Sequence, residues 1–426
     1  MNIDKDIEII KKNYRPRVVD SRIERTISSF GGLLITGPKW CGKSWTSQYH
    51  SNSVLYADRD ENKKKAVLMP DDLLDGDRPR VIDEWQDIPV LWDIARRKID
   101  LEREKGMFIF TGSSVPPKNA TSHSGTGRFA KIEMRPLSLF ESGNSTGAVS
   151  LSGLFEGSVV GTLSSAINYK EAVRLICRGG WPSVVWDEGS SETPEEYLES
   201  ILDMDIGRAG GRKRRFSRDT MELIMRSLAR NTAAAVKSTT IAKDISNDGK
   251  TVSDQTVRSY VSILKNMFLI TEQRPWRPRM RSKSRIRESP KKHFIDPSLA
   301  VAALDGNEET VRNDPNLAGF LFESLCYRDI CVYSSPFGGK VKYFGDSNNF
   351  EIDIIVEAKG GKWGAIEVKL GNDEFDKAAA NLKKLKDRVS SETMPPSFLM
   401  ILTATGGYAY TRSDGVAVVP IDCLGP

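Results

Sequence analysis

The segment GGLLITGPKWCGKSWTS carries two glycines, a lysine and a serine at the spacing of a phosphate-binding loop. Gly37 and Gly42 let backbone N–H groups curl around phosphate oxygens, and Lys43 is placed to reach the β- and γ-phosphates of ATP. Ser44 supplies a hydroxyl that ligates Mg²⁺ in such loops. We therefore predict ATP and Mg²⁺ as cofactors. The predicted nucleotide contacts are Gly37, Pro38, Lys39, Trp40, Cys41, Gly42, Lys43, Ser44 and Trp45.

Two adjacent carboxylates follow in the segment RPRVIDEWQDIP, directly after a short apolar run that predicts a buried strand. Asp83 is placed to hold Mg²⁺ through water, as the second acidic site of such NTPases does. Glu84 is placed to orient or deprotonate the attacking water. A pair of solvated carboxylates at a strand end is the alternative interpretation. Short apolar strands alternate with helical segments over residues 31–140, which predicts a parallel sheet covered by helices.

Two further polar residues are candidates for catalysis in the same part of the chain. Thr111 ends the apolar strand in MFIFTGSS and is predicted to sense the γ-phosphate, although a plain strand-to-turn transition would look the same. Arg128, in GTGRF, is a candidate arginine finger that acts on the nucleotide of a neighbouring copy. It is equally consistent with a surface arginine or a buried ion-pair partner. A role in trans would imply a homo-oligomer.

The segment VSDQTVRSYVSILKNMFLI predicts a helix, because its apolar residues recur at steps of three and four. Ser253 is a plausible N-cap, and Arg258 lies on the polar face opposite the apolar stripe. A shorter helix around residues 241–245 precedes it. Two helices in this order outline a helix-turn-helix motif, and a simple helical hairpin is the alternative.

A basic run follows, in which nine lysines or arginines and one acidic residue, Glu288, lie between Arg274 and Lys292. At residues 279–287 the basic side chains occupy every second position, so an extended strand would place them on one face. Such a wing would lie along a phosphate backbone, and the alternative is a solvated loop or one that pairs with acidic protein. The predicted DNA contacts are Arg258, Arg279, Arg281, Lys283, Arg285 and Arg287.

The segment EIDIIVEAKGGKWGAIEVK at residues 351–369 places carboxylates and a lysine on two apolar strands. Asp353 and Glu367 are candidate Mg²⁺ ligands, and Lys369 would steady the attacking water or the developing charge. Glu323 lies upstream on a helical pattern and is a candidate third carboxylate. The arrangement resembles the PD-(D/E)xK nuclease core. The alternative is that Glu367 and Lys369 form a surface ion pair, and the residues leave open whether the site is active.

The motifs ITGPKWCGKS, VIDEWQDIP, FIFTGSS and GRFAKIEMRPLSLFE resemble, in order and spacing, bacterial and archaeal AAA-type ATPases with a C-terminal domain of unknown function. RGGWPSVV, DMDIGR and HFIDPSLA extend the resemblance over nearly the whole chain. It implies an AAA-type (ASCE) P-loop domain, a winged-helix domain and a restriction-endonuclease-like domain. The chain departs from that family at Lys39-Trp40, where Arg-Gln is usual, and at Ser44, where Thr is usual.

The predicted fold class is α/β: a P-loop parallel sheet followed by a winged helix and a restriction-endonuclease-like α/β domain. The predicted boundaries are 1–145 for the ATPase domain, 146–215 for a helical lid or linker, 216–305 for the winged helix and 306–426 for the nuclease-like domain. Five scattered cysteines without a CxxC pair favour a reducing cytoplasm and make a zinc site improbable. The sequence contains no apolar stretch long enough to span a membrane.

These patterns together predict an ATPase that hydrolyses ATP with Mg²⁺ and acts on DNA. Two other functions fit the same residues. One is a switch-type signalling ATPase whose nuclease-like part is an inert scaffold. The other is an ATP-gated toxin or defence nuclease.

Overall fold

The computed structural model describes residues 3–113, 124–187, 193–205, 216–247, 249–278, 289–390 and 393–426. They form two compact units. The first unit extends to Pro136 and includes Asn266–Phe268, and the second contains Leu137–Lys265 and Leu269–Pro426. Among the described residues, no helix has the length and apolar character needed to cross a membrane.

The first unit is an α/β layer structure built on a parallel sheet. Its helices are α1 (Ile3–Asn13), α2 (Asp20–Ile27), α3 (Lys43–Tyr49), α4 (Asp60–Leu68) and α5 (Val90–Glu102). Its strands are β1 (Gly32–Thr36), β2 (Ser53–Tyr56), β3 (Arg80–Asp83), β4 (Phe108–Gly112) and β5 (Phe129–Glu133). The strands run parallel in the order β2-β3-β4-β1-β5. The predicted parallel sheet is confirmed.

Both faces of this sheet are buried, which explains why its strands read as nearly continuous apolar runs. On β4, Phe108 and Phe110 pack in one cluster with residues of α5, whereas Ile109 packs in a second cluster with residues of α1 and α2. On β3, Ile82 and Val81 divide between the same two clusters. Because all strands are parallel, β1, β3 and β4 end at one edge of the sheet, which is where such sheets bind ligands.

The second unit begins with short helices and continues as a mixed sheet. Its helices are α6 (Leu151–Phe155), α7 (Tyr169–Arg178), α8 (Pro182–Trp186), α9 (Pro194–Ser200), α10 (Arg218–Arg230), α11 (Ser238–Asn247), α12 (Asp254–Asn266), α13 (Pro297–Ala302), α14 (Glu308–Asn313), α15 (Pro315–Ser334) and α16 (Phe375–Val389). Its strands are β6 (Val149–Ser150), β7 (Leu163–Ser164), β8 (Ile270–Gln273), β9 (Lys291–Phe294), β10 (Lys340–Gly345), β11 (Glu351–Glu357), β12 (Trp363–Lys369), β13 (Phe398–Thr403), β14 (Tyr408–Thr411), β15 (Ala417–Pro420) and β16 (Leu424–Gly425).

The main sheet of the second unit has the order β10-β11-β12-β13-β15-β14-β7. β11 is antiparallel to β10 and β12, whereas β12, β13 and β15 are parallel. α16 packs on this sheet through a core that contains Trp276, Trp363 and Leu382. The antiparallel register pairs Ile354 with Ile366. The next opposed positions are therefore Asp353 and Glu367, which brings the two predicted carboxylates side by side.

Candidate functional site

The phosphate-binding loop leaves the end of β1 and leads into α3, and its glycines are required by its geometry. Gly37 has φ 155°, and a Cβ atom there would lie 2.4 Å from the carbonyl oxygen of Met134. Gly42 has φ 94° and directly precedes α3. Both positions exclude larger residues, Gly37 by backbone contact and Gly42 by its left-handed conformation. The loop therefore directs the N-terminus of α3 toward the position expected for phosphates.

Lys43 is the first residue of α3, and its side chain turns back into the loop. The residue is 6% exposed, and Nζ donates a hydrogen bond of 2.6 Å to the carbonyl oxygen of Pro38. Phosphate oxygens bind an ammonium more strongly than a neutral carbonyl does. In the nucleotide complex, phosphate oxygens would therefore replace the Pro38 carbonyl as the hydrogen-bond acceptor of Lys43.

Arg17 stabilises the phosphate-binding loop through hydrogen bonds, and the sequence patterns did not identify it. Its guanidinium donates to the carbonyl oxygens of Cys41 and Arg135, each at 2.9 Å, and the residue is 7% exposed. It thereby joins the loop to the segment after β5. No local pattern marks Arg17, because its two acceptors lie 24 and 118 residues away along the chain.

Asp83 ends β3 and faces the loop. One carboxylate oxygen accepts a hydrogen bond of 3.1 Å from the Ser44 hydroxyl and a second from the Thr111 hydroxyl. Burial raises the pKa of Asp83, and the adjacent Glu84 also raises it, while the two hydroxyls and Lys43 act in the opposite direction. A cation beside the carboxylate would favour its charged form.

The residues at this edge fit a Mg²⁺ ion that is bound together with a nucleotide. Mg²⁺ prefers oxygen ligands, keeps several waters and is held by one or two protein groups plus substrate phosphates. Ser44 and Asp83 present a hydroxyl and a carboxylate within 3.1 Å of each other. Ser44 and Asp83 would hold the ion, and the phosphates of the nucleotide and water would supply its other ligands.

Glu84 is positioned by a short polar network. Its backbone adopts a left-handed conformation with φ 52° and ψ 45°. Its side chain accepts hydrogen bonds from the amide of Gln86 and from the hydroxyl of Ser113, the latter at 3.2 Å. Its backbone N–H donates to the Thr111 hydroxyl at 3.3 Å. Thr111 therefore connects Asp83 and Glu84 through hydrogen bonds of its hydroxyl. Its contact with the γ-phosphate stays a prediction.

Arg128 lies at the opposite end of the sheet from the loop. Its neighbour Phe129 pairs with Gly32 at the start of β1, and the loop follows Thr36 at the end of that strand. At about 3.3 Å per residue, the four steps from Gly32 to Thr36 place the two ends of β1 about 13 Å apart. Arg128 forms an exposed ion pair of 2.7 Å with Asp100. Its position therefore does not favour contact with the nucleotide of its own chain.

The remaining residues of the loop differ in exposure. Lys39, Trp40 and Trp45 are exposed, whereas Cys41 is buried and accepts the Arg17 bond through its carbonyl. Trp40 has φ 64°, an unusual conformation for a bulky residue. Pro38 contributes the carbonyl that holds Lys43.

The carboxylates predicted in the second unit surround a lysine that sequence reasoning did not single out. Lys291 Nζ lies 2.7 Å from Glu323 on α15, 2.5 Å from Glu351 and 3.9 Å from Asp353, the last two on β11. The second oxygen of Asp353 accepts a 2.8 Å bond from the N–H of Val368. Burial raises the pKa of Glu323 to about 8, with Lys291 acting in the opposite direction.

Glu367 and Lys369 bond to each other on β12. Their ion pair is 3.1 Å long, and the other oxygen of Glu367 accepts from Asn381 at 3.3 Å. Burial and the nearby Asp353 raise the pKa of Glu367 to about 7. Glu367 is 3% exposed, whereas Lys369 is partly exposed, so the pair is not a fully exposed surface pair. The sequence therefore identified four residues that the fold does bring together, but not the lysine and the additional glutamate between them.

The predicted DNA contacts fall on two segments. Arg258 lies on the exposed face of α12 and pairs with Asp254 one turn earlier. Ser253 caps this helix, since its hydroxyl accepts a 3.0 Å bond from the N–H of Thr256. The other predicted contacts, Arg279, Arg281, Lys283, Arg285 and Arg287, lie outside the described residues.

Three family models match separate parts of the chain. Residues 30–142 match an AAA domain. Residues 169–310 match a domain of unknown function (DUF8612), and residues 318–424 match another (DUF4143). A comparison with curated proteins found no match.

The solved structures that match this chain have low sequence identity to it and low TM-scores. The Walker-type ATPase of Pyrococcus abyssi is 16% identical with a TM-score of 0.41, over 68% of this chain and 96% of that chain. AMPPCP-bound DnaA from Aquifex aeolicus is 15% identical with a TM-score of 0.24, over 58% of this chain and 86% of that chain. These scores establish no common overall fold. The segment that matches the AAA domain forms a parallel sheet with the phosphate-binding loop at its edge. This agreement supports an AAA-type ATPase domain that binds nucleotide.

Proposed function

We propose that the chain binds ATP with Mg²⁺ at residues 37–45 and hydrolyses it. The observation that carries this proposal is the convergence at one sheet edge of the Lys43 loop, the Ser44–Asp83 pair and Glu84. Bound Mg²⁺ would neutralise charge on the β- and γ-phosphates. Lys43 would bind the same phosphates, and Glu84 would accept the proton of the attacking water. Thr111 would keep the Asp83 carboxylate and the backbone of Glu84 in place.

Replacing Lys43 by alanine is expected to weaken ATP binding by about 10- to 100-fold, because a charge-assisted hydrogen bond to phosphate is lost. Binding of a fluorescent ATP analogue, measured with Mg²⁺, gives the dissociation constant. Lys105→Ala is the matched control, since Lys105 is an exposed lysine that precedes β4, at the opposite end of the sheet from the loop. Equal losses in the two variants would contradict the proposed role of Lys43.

We also propose that the second unit binds DNA through a winged helix. The order of elements supports this: α10, α11 and α12 are followed by the antiparallel pair β8 and β9, with the basic residues 279–287 between the two strands. A bridge between Ala234 and Lys292 adds a further contact to this small sheet. Gln255, Arg258 and Lys265 line the exposed face of α12, which is the face a duplex would meet.

If this surface binds DNA, Arg258→Ala is expected to weaken binding to a duplex by about 3- to 10-fold and to reduce the slope of log K against log salt by about 0.9. Fluorescence anisotropy over a salt series measures both quantities. Arg312→Ala, which removes an exposed arginine from α14, is the control and should change neither. A wild-type chain with no salt-dependent DNA binding would refute the proposal.

The switch-type alternative makes a different prediction for the ATPase. ATP would then control association between copies, and DNA would not change the hydrolysis rate. The exposed Arg128, remote from its own loop, is compatible with a role at a neighbour's nucleotide. Hydrolysis stimulated by DNA would favour the DNA-acting proposal, whereas nucleotide-dependent oligomerisation without a DNA effect would favour the switch.

A further inference from the structure

Lys291 is the cation among the carboxylates of Glu323, Glu351 and Asp353, and Glu367 lies close to Asp353 on β12. Lys291 begins β9 and is 2% exposed. Its ammonium lies within hydrogen-bond distance of Glu323 and Glu351 and within 3.9 Å of Asp353. The ring of Tyr343 lies 5.4 Å away on another side. These contacts surround the ammonium with negative charge and an aromatic face.

Each carboxylate that a metal would need already has a bonded partner in the protein. Asp353 uses Oδ2 for the N–H of Val368 and directs Oδ1 toward Lys291. Glu367 uses one oxygen for Lys369 and the other for Asn381. Within the described parts of the chain, no group of three or more His, Cys, Asp or Glu side chains has a metal-binding arrangement. Each candidate ligand is therefore committed to a protein donor.

A nuclease of the type that this part of the sequence resembles binds a divalent ion through carboxylates on adjacent strands. Mg²⁺ would need ligand oxygens at about 2.0–2.1 Å in near-octahedral geometry. The ammonium of Lys291 is bonded to Glu323 and Glu351 and lies 3.9 Å from Asp353, so its charge repels a second cation at these carboxylates. The residues of this cluster do not fit a divalent metal while Lys291 is present.

We infer that the ammonium of Lys291 takes the place of a divalent metal in this cluster, so that the C-terminal part of the chain binds no metal there and uses the site to hold its elements together. The cluster joins β9, α15 and β11, three elements that are separate along the chain. The lysine is covalently part of the protein, so the link does not depend on metal supply. Metal-dependent cutting of DNA at this site is excluded by the same contacts.

Direct measurement of metal binding tests the inference without any change at Lys291. The full chain with Ser44→Ala, which removes one of the two proposed Mg²⁺ ligands of the nucleotide site, is titrated with Mn²⁺ in the absence of nucleotide and followed by electron paramagnetic resonance. No stoichiometric binding is expected. One Mn²⁺ bound per chain that is lost in Asp353→Asn or Glu367→Gln would overturn the inference.

Stability measurements test the role of the ammonium. Lys291→Met is expected to lower the melting temperature by roughly 6–20 °C, because it leaves buried carboxylates without their cation. Lys292→Met is the matched control: its side chain is half-buried and donates a hydrogen bond of 2.6 Å to the neutral carbonyl of Val236. An equal shift in the two variants would count against the inference.

The effect of Glu323→Gln on the melting temperature distinguishes ion pairing with Lys291 from a loss of packing, because ion pairing predicts opposite signs with and without the lysine. Glu323→Gln should lower the melting temperature of the wild-type chain, where it removes a partner of Lys291. In the Lys291→Met background the same change should raise the melting temperature, because it removes an uncompensated buried charge. If Lys291→Met alone does not fold, the Lys291→Met/Glu323→Gln double variant is expected to recover folded protein. A Glu323→Gln effect of the same sign and size in both backgrounds would overturn the inference.

Discussion

Glu84→Gln is expected to slow ATP hydrolysis by about 10²- to 10⁴-fold while ATP still binds with nearly unchanged affinity. The amide keeps the size of the side chain and an oxygen that accepts from Gln86 and Ser113. It loses the ability to accept a proton from water. Single-turnover hydrolysis and binding of a fluorescent ATP analogue, measured on the same preparation, separate the chemical step from binding.

The backbone of Glu84 gives an independent reason to expect this role. A non-glycine residue at φ 52° and ψ 45° carries a conformational cost of about 1 kcal/mol. Such strained residues concentrate at active sites, where the surrounding structure holds them. Here the Thr111 hydroxyl fixes the backbone N–H of Glu84, and Ser113 fixes its carboxylate.

Asp87→Asn is the matched control for Glu84→Gln. Asp87 belongs to the same turn but pairs with Lys63 at 2.7 Å on the surface. Its substitution should leave hydrolysis within about twofold of wild type. Hydrolysis by Glu84→Gln at a rate near that of the wild type would show that another group accepts the proton. A parallel loss of ATP binding would show that Glu84 is a structural residue.

The meeting of the loop with Asp83 and Glu84 at one end of the sheet could be predicted because it is encoded locally. Gly37 to Ser44 form one continuous loop, and the parallel sheet brings the end of β3 beside it. A strand that ends in Asp83-Glu84 therefore reaches the loop in any sheet of this type. Arg17 escaped prediction because nothing in its neighbourhood shows that its guanidinium turns inward to Cys41 and Arg135.

Lys291 escaped prediction for a different reason. It lies at the end of a run of basic residues, and such runs are normally solvated or bind polyanions. Only the pairing of β9 with β8, and the packing of α15, show that this one ammonium is buried against carboxylates 32 and 60 residues later. The nuclease-like pattern identified the carboxylates Glu323, Asp353 and Glu367, whereas Lys291 was counted as one of the nine basic residues of the run.

The motifs RGGWPSVV and HFIDPSLA meet at a second buried charge cluster, in which Arg328 is held between two aspartates. Arg328 donates to Asp296 at 2.7 Å and to Asp329 at 2.8 Å, and all three residues are at most 1% exposed. Asp296 also accepts from the N–H of Gly180, and Asp329 from the N–H of Leu139. One guanidinium thus joins four separate segments of the second unit.

Arg328→Met is expected to lower the free energy of unfolding by about 3–5 kcal/mol, because it leaves two buried carboxylates without their cation. Urea denaturation followed by circular dichroism measures the change. Arg174→Met, which breaks an exposed pair with Glu171, should cost less than about 1 kcal/mol. Because the cost comes from unpaired charge rather than lost volume, adding Asp296→Asn and Asp329→Asn should restore part of the stability. A triple variant less stable than Arg328→Met would instead show that the carboxylates act mainly through their bonds to Gly180 and Leu139.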